Sequence, residues 1–420
     1  MAKKKNIVIL GAGFAGIRAA RILSKKLDLN RFELFLVDKK SVHIYTPDLY
    51  EVASNFHQEI TEQCLIDLKE TVATQIETIV DPKKIRFIQA EIKKIDPKKK
   101  KISLVGKTSL DYDYLVVTLG SVVNYQGIEG LEQFSYPVKS MDDAILINCH
   151  LDTYFRSLWK KNVKKDVMIT IGGGGVTGVE FASEMAGYLR QLSKKYKYPL
   201  SHIHAQVIQG ADELIGVGKK VSEIALERLK KKNVNVMLGH YIKKVQANKI
   251  VLQSKDGKKK KIIKSDMLMW TGGVKPNPVV AASLGSDEFK GAIAVNEQLQ
   301  SVKYKAVFAG GDNAAFVNKK GERAPWLAQA AVEQGEVIAE NIVALTQRRP
   351  LKSYKLRTYP MIIPIAGQFG IVKMGPFVYK GWLGWVVRRF TDLTYAMSIL
   401  PFGKALKKWW RGNKVFIEND

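Results

Sequence analysis

The sequence predicts an α/β fold in which two Rossmann-like dinucleotide-binding domains are followed by an amphipathic C-terminal region. Three observations carry this. A glycine fingerprint, Gly11-Ala12-Gly13-Phe14-Ala15-Gly16, follows the apolar run Ile7–Leu10. A second copy, Gly173-Gly174-Gly175-Val176-Thr177-Gly178, follows Val167–Ile171, about one domain length later. Residues 351–420 differ in kind, with twelve Lys and Arg against three Asp and Glu, and four of the seven tryptophans between 382 and 410.

In each fingerprint the first glycine makes a tight turn, the second lets backbone approach a pyrophosphate, and the third lets helix pack on strand. The pyrophosphate then sits at the positive end of a helix. Ile17, Ala20, Ile22 and Leu23 continue the first copy as a helix; Val179, Phe181 and Met185 continue the second. Two such copies imply two dinucleotides, most simply a flavin and a nicotinamide. The strand Phe35–Val37 ends in Asp38, whose carboxylate suits a ribose hydroxyl, with Lys39 beside it. The matching strand Ala205–Ile208 ends in Gln209, so no carboxylate stands there to repel a 2′-phosphate, although Asp212 and Glu213 lie just beyond.

Tyr112–Gly120 reads as a buried strand closing in Thr118-Leu-Gly120, and residues 142–161 as a helix leading into the second unit. Met267–Trp270 closes similarly, in Thr271-Gly272-Gly273. Ala306–Gly311 is a strand ending in Asp312, and Ala328–Ile338 is a helix. The first unit therefore resumes after the second. The expected domains are 1–162 with 276–350 for the flavin, 163–275 for the nicotinamide, and 351–420 as a membrane-associating region. There Trp382, Val386, Phe390, Leu393, Met397 and Leu400 recur at helical spacing, with Arg388, Arg389 and Asp392 on other faces. Trp409-Trp410 sits among Lys404, Lys407, Lys408 and Arg411, which suits a helix lying in a membrane interface.

With 420 residues, 46% of them hydrophobic, the chain can bury a sizeable core. Its net charge of +27 favours phosphate-bearing surfaces. Cys64 and Cys149 are far apart in sequence and neither follows a fingerprint, which argues against a redox dithiol. The six histidines lack metal spacing, so no metal is expected. The apolar run after Lys3–Lys5 is too short for a signal peptide, and no stretch of 18 apolar residues suggests a transmembrane helix.

Taken together, Gly11–Gly16, Leu115–Gly120, Gly173–Phe181, Trp270–Val274, Gly310-Gly311-Asp312 and the Ala328-Gln329 helix resemble type II NADH:quinone oxidoreductases. These are single-subunit, non-proton-pumping flavoprotein NADH dehydrogenases with a glutathione-reductase-like fold. The resemblance implies hydride transfer from NADH to FAD, then passage of two electrons to a membrane quinone of menaquinone or ubiquinone type. Non-covalent FAD would be lined by Gly11, Gly13, Phe14, Ala15, Gly16, Asp38, Lys39, Thr46, Gly120, Asp312 and Ala331. NAD(P)H would be lined by Gly173, Gly175, Val176, Thr177, Gly178, Gln209 and Gly273. Catalytic roles would fall to Glu180 near the nicotinamide, Gln329 at the quinone, and Glu333, which replaces the family's second glutamine. Glu180 or Glu333 would relay protons if burial raises its pKa. The expected location is peripheral, on the cytoplasmic face of the cell membrane. The expected partners are a quinone and anionic lipid, with a possible homodimer and no nucleic acid.

Two other readings stay open. One is a soluble reductase of a ferredoxin- or rubredoxin-like carrier. The other is a basic flavoprotein of the apoptosis-inducing type that binds nucleic acid. Neither needs interfacial tryptophans. A sulfide:quinone reductase would need paired cysteines near the flavin.

Overall fold

A computed structural model describes residues 3–106, 108–286 and 289–417, and backbone alone is considered at 415–417. The chain forms two compact units: residues 1–44, 73–122 and 274–359, and residues 45–72, 123–273 and 360–420.

The first unit is organised by a five-stranded parallel sheet in the order Val307–Ala309, Tyr114–Val117, Lys5–Leu10, Phe32–Asp38, Arg86–Gln89. Its central strand is covered on both faces, so Ile7, Val8, Ile9 and Leu10 are all fully buried and the sequence there is continuously apolar. Each such side chain contributes about 1.5–3 kcal/mol on leaving water. The helix Phe14–Lys26 packs on Ala328–Thr346. That approach depends on Gly335, where a Cβ would lie 2.2 Å from the Ala15 carbonyl oxygen.

The second unit repeats the plan. Its parallel sheet runs Tyr136–Pro137, Met267–Trp270, Val167–Gly172, Ile203–Ile208, Val234–Met237. The helix Met141–Lys160 starts at a capping box between Ser140 and Asp143, worth about 1 kcal/mol. An antiparallel meander, His240–Gln246, Lys249–Ser254 and Lys260–Lys264, follows the fourth parallel strand in sequence. A further meander over Met361–Gly381 leads into the C-terminal helices Trp382–Ile399 and Phe402–Ile417.

Two segments join the compact units at their edges. Residues 45–72 group with the second unit because Leu49, Tyr50, Val52 and Ala53 are buried there. Asn148 of the helix Met141–Lys160 donates to the Asn55 carbonyl at 2.6 Å. Residues 351–359 stay with the first unit, tied by Asn341 to both backbone groups of Lys352 at 2.7 and 2.9 Å. Only 360–420 forms part of the second. Among the described residues no helix is long and apolar enough to cross a membrane, and no group of three or more potential ligands could hold a metal.

The C-terminal helix corrects one expectation. Arg388 and Arg389, which the sequence offers to anionic headgroups, are buried, with side chains 7% and 10% exposed. The face turned outward carries Trp382, Leu383, Val387, Phe390 and Met397. The physical reason is a set of carboxylates beneath the helix, which draws the guanidiniums in.

Candidate functional site

The two glycine loops have matching geometry. Gly11 has φ +96°, and a Cβ there would lie 2.3 Å from the Thr118 carbonyl oxygen. At Gly16 a Cβ would lie 1.9 Å from the Gly11 oxygen; at Gly178, 1.8 Å from the Gly173 oxygen. By contrast, a Cβ at Gly175 meets nothing within 4 Å, and one at Gly13 meets only Thr118 O at 4.0 Å. The first and third positions are thus closed by the protein while the second opens onto free space, the cradle a pyrophosphate needs. Phe14, Ala15 and Gly16 begin one helix; Val176, Thr177 and Gly178 begin the other, with Gly13 and Gly175 as N-caps.

The side chains that fix the loops also match. Thr118 Oγ1 donates to Leu10 O at 2.9 Å and Gly11 O at 3.1 Å; Thr271 Oγ1 donates to Gly172 O at 3.1 Å and Gly173 O at 2.9 Å. Asp38 accepts the Ala12 N–H at 2.7 Å, and Gln209 Oε1 accepts the Gly174 N–H at 3.0 Å. Gln209 is therefore the positional counterpart of Asp38. Its Nε2 donates to Glu213 O at 3.1 Å, so the whole amide is engaged. Asp38 also accepts the Lys40 N–H at 2.9 Å, while Lys39 is exposed and its carbonyl accepts from Gln89. Gly273 has φ +131° at the turn after Met267–Trp270, and its carbonyl accepts the Asn124 N–H at 3.1 Å.

Sequence reasoning missed His43, which is 1% exposed, bonds the Ala12 oxygen through Nδ1 at 2.8 Å and meets Phe14 edge-on. A lone histidine five residues past Asp38 was the available signal.

A second turn of the first unit converges near the same sheet end. Gly120 and Asn313 exchange hydrogen bonds at 2.9 Å in both directions. Asp312 accepts from Ser121 Oγ, and Gly311 N–H donates to Gln334 at 2.7 Å. Ala331 is buried beside Gly311. Gln334, 2% exposed, also escaped the sequence reading. Gln329 is exposed on the first turn of Ala328–Thr346. Glu333 is half-buried, and both its oxygens are engaged: Tyr359 donates at 2.6 Å and Arg357 lies at 3.4 Å. Thr46 opens the 3₁₀ turn Thr46–Asp48 in the second unit.

Glu180, on the second fingerprint helix, is 8% exposed and belongs to a buried charge cluster. Arg388 binds Asp48 at 2.5 Å, Asp392, and the Tyr45 hydroxyl at 3.1 Å. Arg389 binds Glu51 at 2.7 Å and Asp392 at 3.4 Å. Four carboxyls, those of Asp48, Glu51, Glu180 and Asp392, thus face two guanidiniums. Burial pushes Glu180 well above its ordinary pKa; Arg388 opposes the shift, and Glu51, Asp48 and Glu184 reinforce it. Burial likewise lifts Glu51 to about 7 despite Arg389, and Asp392 to about 6 despite Arg388. Glu51 Oε2 is buried with no hydrogen-bond partner among the described residues. The cluster can store protons near neutrality.

These features can be set against known proteins. A family model described as pyridine nucleotide-disulphide oxidoreductase matches residues 5–335, which include both loops. The chain belongs to this family. Cys64 and Cys149 are both free. Over 409 residues the chain is 26% identical to a type II NADH:quinone oxidoreductase of Staphylococcus saprophyticus, covering 96% of this chain and 98% of that protein. The Staphylococcus aureus protein of the same name (strain MSSA476) is 24% identical over the same shares. The fold resembles that of NDH2 from Plasmodium falciparum solved in complex with NADH, with TM-score 0.83, 18% identity, and 99% and 97% of the two chains covered. It also resembles the sulfide:quinone oxidoreductase of Aquifex aeolicus, with TM-score 0.75, 18% identity, and 98% and 92% covered.

Proposed function

We propose that this chain is an FAD-dependent NADH:quinone oxidoreductase of type II. The observation that carries the reading is the duplicated cradle, one ending at Asp38 and the other at Gln209, in a chain that matches its curated relatives almost end to end. When bound, the two cofactors supply the redox chemistry: a reduced nicotinamide gives hydride and a flavin accepts two electrons.

The protein's share is binding, orientation and proton supply. Gly11, Gly13 and Gly16 hold the FAD pyrophosphate, and Asp38 fixes the loop while offering its carboxylate to the ribose. Asp312, Gly120 and Ala331 line the neighbouring turn. Gly173, Gly175, Gly178, Val176, Thr177 and Gly273 hold NADH. Gln329, exposed at the start of its helix, hydrogen-bonds a quinone oxygen. Glu180 holds a proton in the cluster and acts as general acid. Glu333 is committed to Tyr359 and Arg357, which favours a structural tie over a relay role.

The outward apolar face of Trp382–Ile399, with Phe402, Leu406 and Trp410, lies in the cytoplasmic leaflet interface without crossing it. Lys404 and Lys407, both exposed, meet anionic headgroups.

Acid precipitation of the purified protein should release free FAD, and the enzyme should oxidise NADH with a menaquinone or ubiquinone analogue as acceptor. Release of FMN alone, or activity confined to a small iron–sulfur protein acceptor, would overturn the reading.

A further inference from the structure

We propose that Lys255, held by Asp212, is a 2′-phosphate contact that lets the second nucleotide cradle accept NADPH as well as NADH. The proposal rests on the reading that this cradle binds a nicotinamide dinucleotide.

In a Rossmann unit the residue ending the second strand meets the adenosine ribose, and a carboxylate there repels a 2′-phosphate. Gln209 occupies that place. It is neutral, and both ends of its amide are bound to backbone, Oε1 to Gly174 and Nε2 to Glu213. The ribose position is therefore without a carboxylate at its usual source.

The next residues bring in a cation. Gly239 N–H donates to Ala211 O at 3.1 Å, His240 N–H to Gln209 O at 3.1 Å, and Lys255 N–H to Gly239 O at 2.8 Å. These bonds lay the start of the hairpin turn at 255–259 against the loop that follows Gln209. Lys255 Nζ is ion-paired with Asp212, three residues beyond Gln209, and the two side chains are 56% and 68% exposed. An exposed single pair contributes little, so a phosphate dianion can draw the ammonium away from Asp212. With a free 2′-hydroxyl the lysine stays on Asp212 and its charge is compensated. Lys258, Lys259, Lys260 and Lys261, on the same turn and strand, add a positive field that favours the more anionic ligand.

The purine end has a surface of its own. The Tyr241 ring lies over Gly210, where a Cβ would sit 2.3 Å from Cε1, and is 45% exposed. Lys243 stands 5.9 Å from its centroid. A flat ring beside the ribose position suits stacking of an adenine.

The test is calorimetric binding of ADP-ribose and 2′-phospho-ADP-ribose to the FAD-loaded full chain, with no turnover needed. Lys255→Met should weaken 2′-phospho-ADP-ribose by about tenfold, the loss of one exposed charge-assisted hydrogen bond, and leave ADP-ribose within about twofold. Asp212→Asn should tighten the phosphorylated ligand by freeing the lysine. Equal losses for both ligands with Lys255→Met, or no loss for either, would overturn the proposal while the dinucleotide reading stands. If the unaltered protein binds neither ligand, the reading of the cradle fails and takes the proposal with it.

Discussion

Replacing Arg388 with Met tests the buried cluster most severely. The guanidinium has three partners inside the second unit: Asp48 at 2.5 Å, Asp392, and the Tyr45 hydroxyl at 3.1 Å. The side chains of Asp48 and Asp392 are 8% and 10% exposed, so water cannot replace the lost cation. Breaking a buried pair by removing one partner costs about 3–5 kcal/mol. For a unit of this size that corresponds to a fall in Tm of roughly 6–20 °C. Six of the seven tryptophans lie in the second unit, so fluorescence-monitored unfolding reads the right part of the chain. The loss should be larger at pH 8 than at pH 5, where Asp392, lifted by burial to about 6, takes up a proton. Adding Asp392→Asn to Arg388→Met should recover at least about 1 kcal/mol, because the uncompensated charge is gone. A loss below about 1 kcal/mol at pH 8, with no pH dependence, would refute the view that these charges depend on one another.

Other outcomes follow from the same geometry. The folded state holds Glu51 protonated up to about pH 7, whereas the unfolded chain releases that proton near 4.5. Stability should therefore be fullest below about pH 4.5 for this group and fall as pH rises to 7, by on the order of 3 kcal/mol, and Glu51→Gln should flatten that slope in urea titrations. Gln329→Leu should slow reoxidation of the flavin by quinone and spare its reduction by NADH; stopped-flow traces with the loss in the reductive half would contradict the assignment. Gln209→Glu should raise the NADH/NADPH ratio of kcat/KM, and an unchanged ratio would remove Gln209 from the ribose. Trp382→Ser with Phe390→Ser should lower flotation with anionic liposomes at high salt, where apolar burial carries the binding. Unaltered flotation, with a change in oligomeric state instead, would make this face a dimer interface. Substitution is preferable to truncation before Phe377, which would also strip Arg388 and Arg389 from Asp48 and Glu51.

The two cradles were legible in the sequence because each is a local device. A turn at positive φ, an open second glycine and a closed third one act within a few residues, and Thr118, Thr271, Asp38 and Gln209 stand at predictable strand ends. The C-terminal helix was legible as an amphipathic helix, but the burial of its two arginines was not. Periodicity separates the apolar stripe from Arg388, Arg389 and Asp392, but it does not say what lies beneath the charged face. What draws the two arginines inward is a contact across more than three hundred residues of sequence, Arg388 with Asp48 and Arg389 with Glu51. The spacing of Asp48 with Glu51, one turn apart and mirrored by Arg388, Arg389 and Asp392, was the only local hint. Glu333 shows a different limit: its sequence neighbours suggest a site residue, while Tyr359 and Arg357 reach it from a segment assigned to the C-terminal region.

The most direct test of the central claim is an anaerobic spectrum of the purified protein taken through a full cycle. The account predicts a flavin absorbance that bleaches with stoichiometric NADH and returns on adding a menaquinone or ubiquinone analogue. A flavin that NADH does not bleach, or that bleaches and is then not reoxidised by any quinone, would contradict it.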